Sequence, residues 1–217
     1  MLKKMFVLIL FLAVSSVYAG TLDLQIASRG PSETGTTSIT PVKSVSVNPS
    51  EWLDLNIYYT GVTGFRLATL STLITVTGPG SIDLVTEHKT SNDDDPTMQL
   101  TEPSSAWDSD LRWITAVTPG KKFILDYSMA NGINGNGAAK IALDHLMFHC
   151  DGIGTVTITM ENTTNSHAMN SLEYQISLPD NQNVPTFGGP VTITQIPEPA
   201  TMILLAVGGL ALRRFRK

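Results

Sequence analysis

Leu53-Asp54-Leu55-Asn56-Ile57-Tyr58-Tyr59-Thr60-Gly61 decides the fold. Leu53, Leu55, Ile57 and Tyr59 alternate with Asp54, Asn56 and Tyr58, a period of two that sends apolar side chains to one face of a β-strand and polar ones to the other. The same period returns upstream, where Leu22, Leu24 and Ile26 alternate with Asp23 and Gln25. It returns again downstream, where Leu172, Tyr174, Ile176 and Leu178 alternate with Glu173, Gln175 and Ser177, so the first four are expected in a core and the other three in solvent. Further strands are expected at 44–47, 65–76, 82–85, 122–127, 141–150, 155–161 and 191–194, rich in β-branched residues and separated by Gly and Pro turns. Only 138–148 competes as a helix. About nine half-buried strands in one domain predict an all-β fold, a two-sheet antiparallel sandwich of jelly-roll type. Three segments break the pattern: 87–110, with Asp93-Asp94-Asp95, and 131–137, alternating Asn and Gly, are expected as exposed loops, and 179–190 as a long hairpin connection.

The two ends of the chain follow different rules. Lys3 and Lys4 precede an apolar run from Met5 to Val14, and Val17-Tyr18-Ala19 offers small residues at both positions that a signal peptidase reads. This pattern predicts a signal helix over 1–19, cut between Ala19 and Gly20. At the other end, Pro197-Glu198-Pro199 leads into an apolar run from Ala200 to Leu212, closed by Arg213-Arg214-Phe215-Arg216-Lys217. Arg213, Arg214, Arg216 and Lys217 favour the anionic cytoplasmic leaflet and hold the C-terminus inside. As a helix the run between is about 20 Å long, whereas a lasting span needs about 20 residues, so it suits a transient inner-membrane tether.

The order of tripeptide, short helix containing Gly208-Gly209-Leu210 and basic end resembles the PEP-CTERM sorting signal of Gram-negative bacteria. That resemblance implies export, recognition by an exosortase, and a cut near Pro197, Glu198 and Pro199. The domains expected are therefore a signal peptide at 1–19, a β-sandwich at 20–194 and a sorting tail at 195–217. A second resemblance covers the middle. Val47-Asn48-Pro49, the strand ending Ile57-Tyr58-Tyr59-Thr60-Gly61, the strand Leu146-Met147-Phe148-His149-Cys150, the turn at Gly152 and the closing Gly189-Pro190-Val191-Thr192-Ile193 are similar in order and spacing to cohesin-type domains. The resemblance implies a nine-stranded jelly-roll, related in shape to carbohydrate-binding modules, that acts in non-catalytic adhesion.

Composition narrows the function classes. Between Gly20 and Thr194 eight basic residues face eighteen acidic ones, a net charge of −10 that repels phosphate backbones, so no nucleic-acid partner is expected. Cys150 is the single cysteine and is flanked by Leu146, Phe148 and Ile153, which predicts a buried packing residue and no intramolecular disulfide.

Catalytic and metal chemistry finds little purchase. His145 and His149 stand four apart, but Leu146-Met147-Phe148 replaces the Glu of a hydrolytic His-Glu-x-x-His helix, and strand histidines are expected instead. Asp93, Asp94, Asp95, Asp108 and Asp110 offer hard oxygen ligands without the spacing of a calcium loop. No nucleophile elbow occurs, and no paired carboxylates are singled out. No metal, cofactor or catalytic residue is therefore assigned. Trp107 and Trp113, bracketing Asp108, Asp110 and Arg112, are the candidate glycan contacts, since exposed rings stack on apolar sugar faces. The sequence thus reads as an exported, non-enzymatic surface or matrix protein, whose partners are signal peptidase, an exosortase and a polysaccharide or another surface protein. A carbohydrate-binding module proper is the alternative, and a secreted glycan hydrolase comes third.

Overall fold

The computed structural model describes residues 19–83, 112–163 and 171–197. Fourteen strands occur among them: β1 (Thr21–Gly30), β2 (Thr37–Val42), β3 (Ser44–Val47), β4 (Trp52–Thr60), β5 (Phe65–Thr77), β6 (Ser81–Asp83), β7 (Arg112–Thr118), β8 (Lys122–Asn134), β9 (Ala139–His149), β10 (Gly154–Asn162), β11 (Leu172–Gln175), β12 (Leu178–Asn183), β13 (Thr186–Phe187) and β14 (Val191–Gln195). They form two sheets. The first runs β13-β1-β4-β9-β6, with β2 also on β1. The second runs β12-β11-β5-β10-β14-β3, with β8 on β5 and β7 on β8. The expected signal helix and the hydrophobic C-terminal helix lie outside the described residues, as do the loop segment 87–110 and Trp107.

The alternation read from the sequence builds the core. Leu22, Leu24 and Ile26 of β1 and Leu53, Leu55, Ile57 and Tyr59 of β4 are all at most 2 % exposed. They meet Leu67, Leu70, Ile74, Phe123, Leu125, Val156, Ile158, Val191 and Ile193 from the second sheet. Two facing apolar sheets of this kind are the usual solution for strands with one greasy side. β9 is a strand throughout, so the helical alternative for 138–148 fails. Leu146, Phe148 and Cys150 point inward from it.

The all-β, two-sheet architecture is as expected, and five details differ. Most pairings are antiparallel, but β13 joins β1 and β3 joins β14 in parallel. The strand number exceeds nine because β2, β7 and two-residue β13 were not expected and 172–178 divides between β11 and β12. The segment 131–137 is not a free loop: β8 continues to Asn134, and Ile133 and Asn134 pair with Leu67 and Arg66. Gly132, at φ +58°, and Gly137, at φ +81°, take the left-handed backbone that glycine tolerates, so the Asn/Gly pattern serves the end of a strand and its turn. The segment 179–190 likewise holds β12 and β13.

The fifth difference concerns 172–178. That stretch is two strands, since the chain turns at Ile176 and Ser177 and β12 pairs back on β11. Its faces are also reversed: Glu173 is fully buried, while Ile176 and Leu178 are 44 % and 58 % exposed. A bulge between Leu172 and Glu173 in the pairing with β5 sets Leu172 opposite Thr69 and Glu173 opposite Leu67, a core residue. A one-residue slip turns a strand's side chains to the other face.

Candidate functional site

The sandwich has two poles, and one end of the domain leaves from each. β4 fixes the axis: Trp52 pairs with Gly30 and His149 at one pole, and Thr60 pairs with Thr21 and Ala139 at the other. The eight steps of nine-residue β4, at about 3.3 Å each, separate the poles by roughly 26 Å.

The C-terminal exit lies at the Trp52 pole. Gln195, the last residue of β14, is 1 % exposed; its side chain accepts from the Gly152 amide at 3.1 Å and donates to the Pro79 carbonyl at 2.7 Å. The Ile196 amide donates to the Val47 carbonyl at 2.9 Å. Pro197, the first residue of the expected sorting motif, follows at once and is the last described. Glu198, Pro199, Arg213, Arg214, Arg216 and Lys217 lie outside the described residues.

The N-terminal entry lies at the Thr60 pole. Ala19 is half-buried and Gly20 is buried. The Gly20 carbonyl accepts from the Thr186 amide at 2.8 Å, and its amide donates to Glu173 Oε1 at 2.8 Å. Glu173 Oε2 accepts from the Tyr59 hydroxyl at 2.7 Å. Burial, and then the bond to Glu173, hold the Tyr59 phenol far above its ordinary pKa, so it stays a neutral donor. Glycine is required here: a Cβ at Gly20 would stand 2.6 Å from both Glu173 Oε2 and Tyr59 Cε2, and one at Gly61 would stand 2.1 Å from the Tyr59 hydroxyl. The sequence reading missed this group, because it put Glu173 in solvent. A lone acid inside an otherwise apolar-and-amide strand was the signal to find it.

The other candidates are scattered. His149 stacks on Trp52 with centroids 4.6 Å apart, and its Nδ1 lies 2.6 Å from Asp151 Oδ1. His149 and His145 are both on strand β9, so the two do not share the face of a helix, and only the backbone of His145 is described. Trp113 lies on β7 opposite Asp126, with its side chain outside the description. Among the described residues the exposed large apolar side chains are aliphatic, Ile153, Leu178 and Val117 being the most exposed.

Cys150 is 1 % exposed beneath Asn48–Glu51; its amide donates to the Glu51 carbonyl and its carbonyl accepts from Ser50. Burial pushes its thiol up to about 12, with Glu51 and Asp151 adding to the rise. Iodoacetamide at pH 8 is expected to leave Cys150 unmodified in the native protein and to alkylate it fully in denaturant. Peptide mass mapping reads the difference, and rapid native alkylation would contradict it.

Solved structures similar to this chain include cohesin modules. A non-cellulosomal cohesin from Archaeoglobus fulgidus shares 10 % identity at a TM-score of 0.47, covering 85 % of this chain and 96 % of its own. A type III cohesin from a cell-surface anchoring scaffoldin of Ruminococcus flavefaciens shares 10 % at 0.48, covering 85 % and 91 %. A cohesin module from a Clostridium perfringens family 33 glycoside hydrolase shares 11 % at 0.44, covering 83 % and 100 %. No curated protein matches the sequence. Residues 195–217, which begin at the buried Gln195 and run to the end of the sequence, match the PEP-CTERM protein-sorting motif, and the chain is thus an exported protein that carries an exosortase sorting signal.

Proposed function

We propose that the chain is processed at both ends, by signal peptidase between Ala19 and Gly20 and by an exosortase near Pro197-Glu198-Pro199, and that residues 20–194 act outside the inner membrane as a non-enzymatic surface or matrix domain. The observation that carries this reading is the fit between fold and motif. The last backbone hydrogen bond among the described residues, from Ile196 to Val47, ends one residue before Pro197. A cut in the motif therefore releases a sandwich with β14 whole. Likewise Gly20 is the first buried residue after the expected signal peptide. The strands form a stable support for loops, and the partner expected is an extracellular polysaccharide or another surface protein.

Intact mass of protein recovered from outside the cell tests both cuts at once. The expected mass begins at Gly20 and ends near the Pro-Glu-Pro motif. Protein recovered there with Met1 or with Lys217 still attached would overturn the corresponding cut.

A further inference from the structure

We propose that Glu173 is a built receptor for the chain's own new N-terminus, so that signal-peptide removal creates a buried ion pair that locks the mature fold. The inference rests on the reading that the cut falls between Ala19 and Gly20. Before the cut, Gly20 N is a peptide nitrogen with one proton. Hydrolysis adds water across the Ala19–Gly20 bond: Ala19 leaves as a carboxylate, and Gly20 N, taking a proton at neutral pH, becomes an ammonium. Its position is already set at 2.8 Å from Glu173 Oε1.

Three observations argue for the pairing. Glu173 is 0 % exposed, and its hydrogen-bond donors among the described residues are the Tyr59 hydroxyl and Gly20 N, both uncharged in the uncut chain. The ion pairs among the described residues are Arg29 with Glu51, Lys43 with Asp23, and His149 with Asp151, and none of them includes Glu173. A buried carboxylate held only by neutral donors is costly, and a cation at one of those donor positions offsets the cost. Second, the backbone around the amine is fixed, because Gly20 O accepts from both the amide and the hydroxyl of Thr186, on β13. β13 then pairs in parallel with β1, so the lock ties the first strand to the last third of the chain. Third, the pocket is shaped for glycine, since any Cβ at position 20 would meet Glu173 Oε2 and Tyr59 Cε2 at 2.6 Å.

The burial of Gly20 also sets an order. A protease needs the Ala19–Gly20 bond extended and accessible, so the cut precedes closure of β13 over β1, and the new amine enters the site afterwards.

Acylation of the exported, processed protein with an N-hydroxysuccinimide ester near pH 7 tests this, because an ordinary α-amine, with a pKa of about 7.7–8.0, reacts there ahead of lysine. Peptide mapping is expected to show the Gly20 amine labelling about tenfold or more slower in the native protein than in denaturant, since a buried amine must wait for local opening. Glu173→Gln, which keeps the shape and the Tyr59 bond but removes the charge, is expected to restore fast labelling and lower the melting temperature. The comparison of native with denatured parent protein stands even if that variant fails to fold. Gly20 at the terminus with an amine that labels freely in the native state would overturn this inference alone. A terminus other than Gly20 would overturn the cleavage reading, and this inference with it.

Discussion

Glu198→Ala is expected to leave the protein in the membrane fraction with its tail attached, while the parent chain leaves that fraction with the tail removed. Two prolines fix their own backbones and restrain the residues before them, so 197–199 is expected to offer an extended peptide to a protease, and Glu198 is the one residue in it with a charged side chain to be recognised. Removing that side chain leaves the apolar run and the basic end untouched. The run from Ala200 to Leu212 should then still tether, with Arg213, Arg214, Arg216 and Lys217 expected at the anionic leaflet. The effect is thus a near-complete switch between fractions. Fractionation with intact mass, in a host that makes an exosortase, measures it; equal release and equal mass for variant and parent would refute the role of Glu198.

Phe148→Ala should cost about 3–5 kcal/mol, the usual penalty for emptying a buried aromatic site. Total stabilities run about 5–15 kcal/mol, so the variant sits near the edge of folding. Phe148 is 0 % exposed and lies between Leu53 of β4 and Ile82 of β6, near the Trp52 pole. Its ring fills the space that Gly80 leaves open: a Cβ there would stand 2.3 Å from Phe148 Cζ. Gly80 sits at φ +113°, so a larger residue at that position could not refill the void without strain. Ile141→Ala on the same strand, where the side chain is 37 % exposed, should cost far less. Denaturant melts of the exported protein check the pair; a Phe148→Ala midpoint equal to that of Ile141→Ala would contradict the packing described.

The parts of the fold legible in the sequence are those where one face is buried and the register is regular. In β1 and β4 the apolar period alone placed every apolar core residue, and in β9 it placed Leu146 and Phe148 but not Leu143, which register shifts against β4 bring into the core. The polar side of β4 was less legible. Asp54 and Asn56 are 6 % and 7 % exposed, so that face is covered as well, and burial on a second face leaves no mark in a period of two. The stretch 172–178 misled because a bulge is a property of the strand pair: nothing within Leu172-Glu173-Tyr174 records that β5 carries an extra residue opposite it. Edge strands such as β13 escaped notice for a related reason, since two residues pairing with Thr21 and Leu22 need no pattern of their own. Of the site, the C-terminal sorting motif was legible because proteases and membranes read local sequence. The Glu173 group was not, as its members lie at positions 20, 59 and 173 and meet only in the folded domain.

The polar arrangement of the two ends bears on how the domain can stand at a membrane. If the N-terminal cut comes before closure of the domain, as proposed, and the tail is cut later, a folded sandwich roughly 26 Å from pole to pole is moored by its Gln195 pole alone. It would then stand upright on that pole, with Glu173, Tyr59 and the turn after β4 farthest from the bilayer. The order of the two cuts would therefore make the N-terminal tip the surface that first meets the outside world.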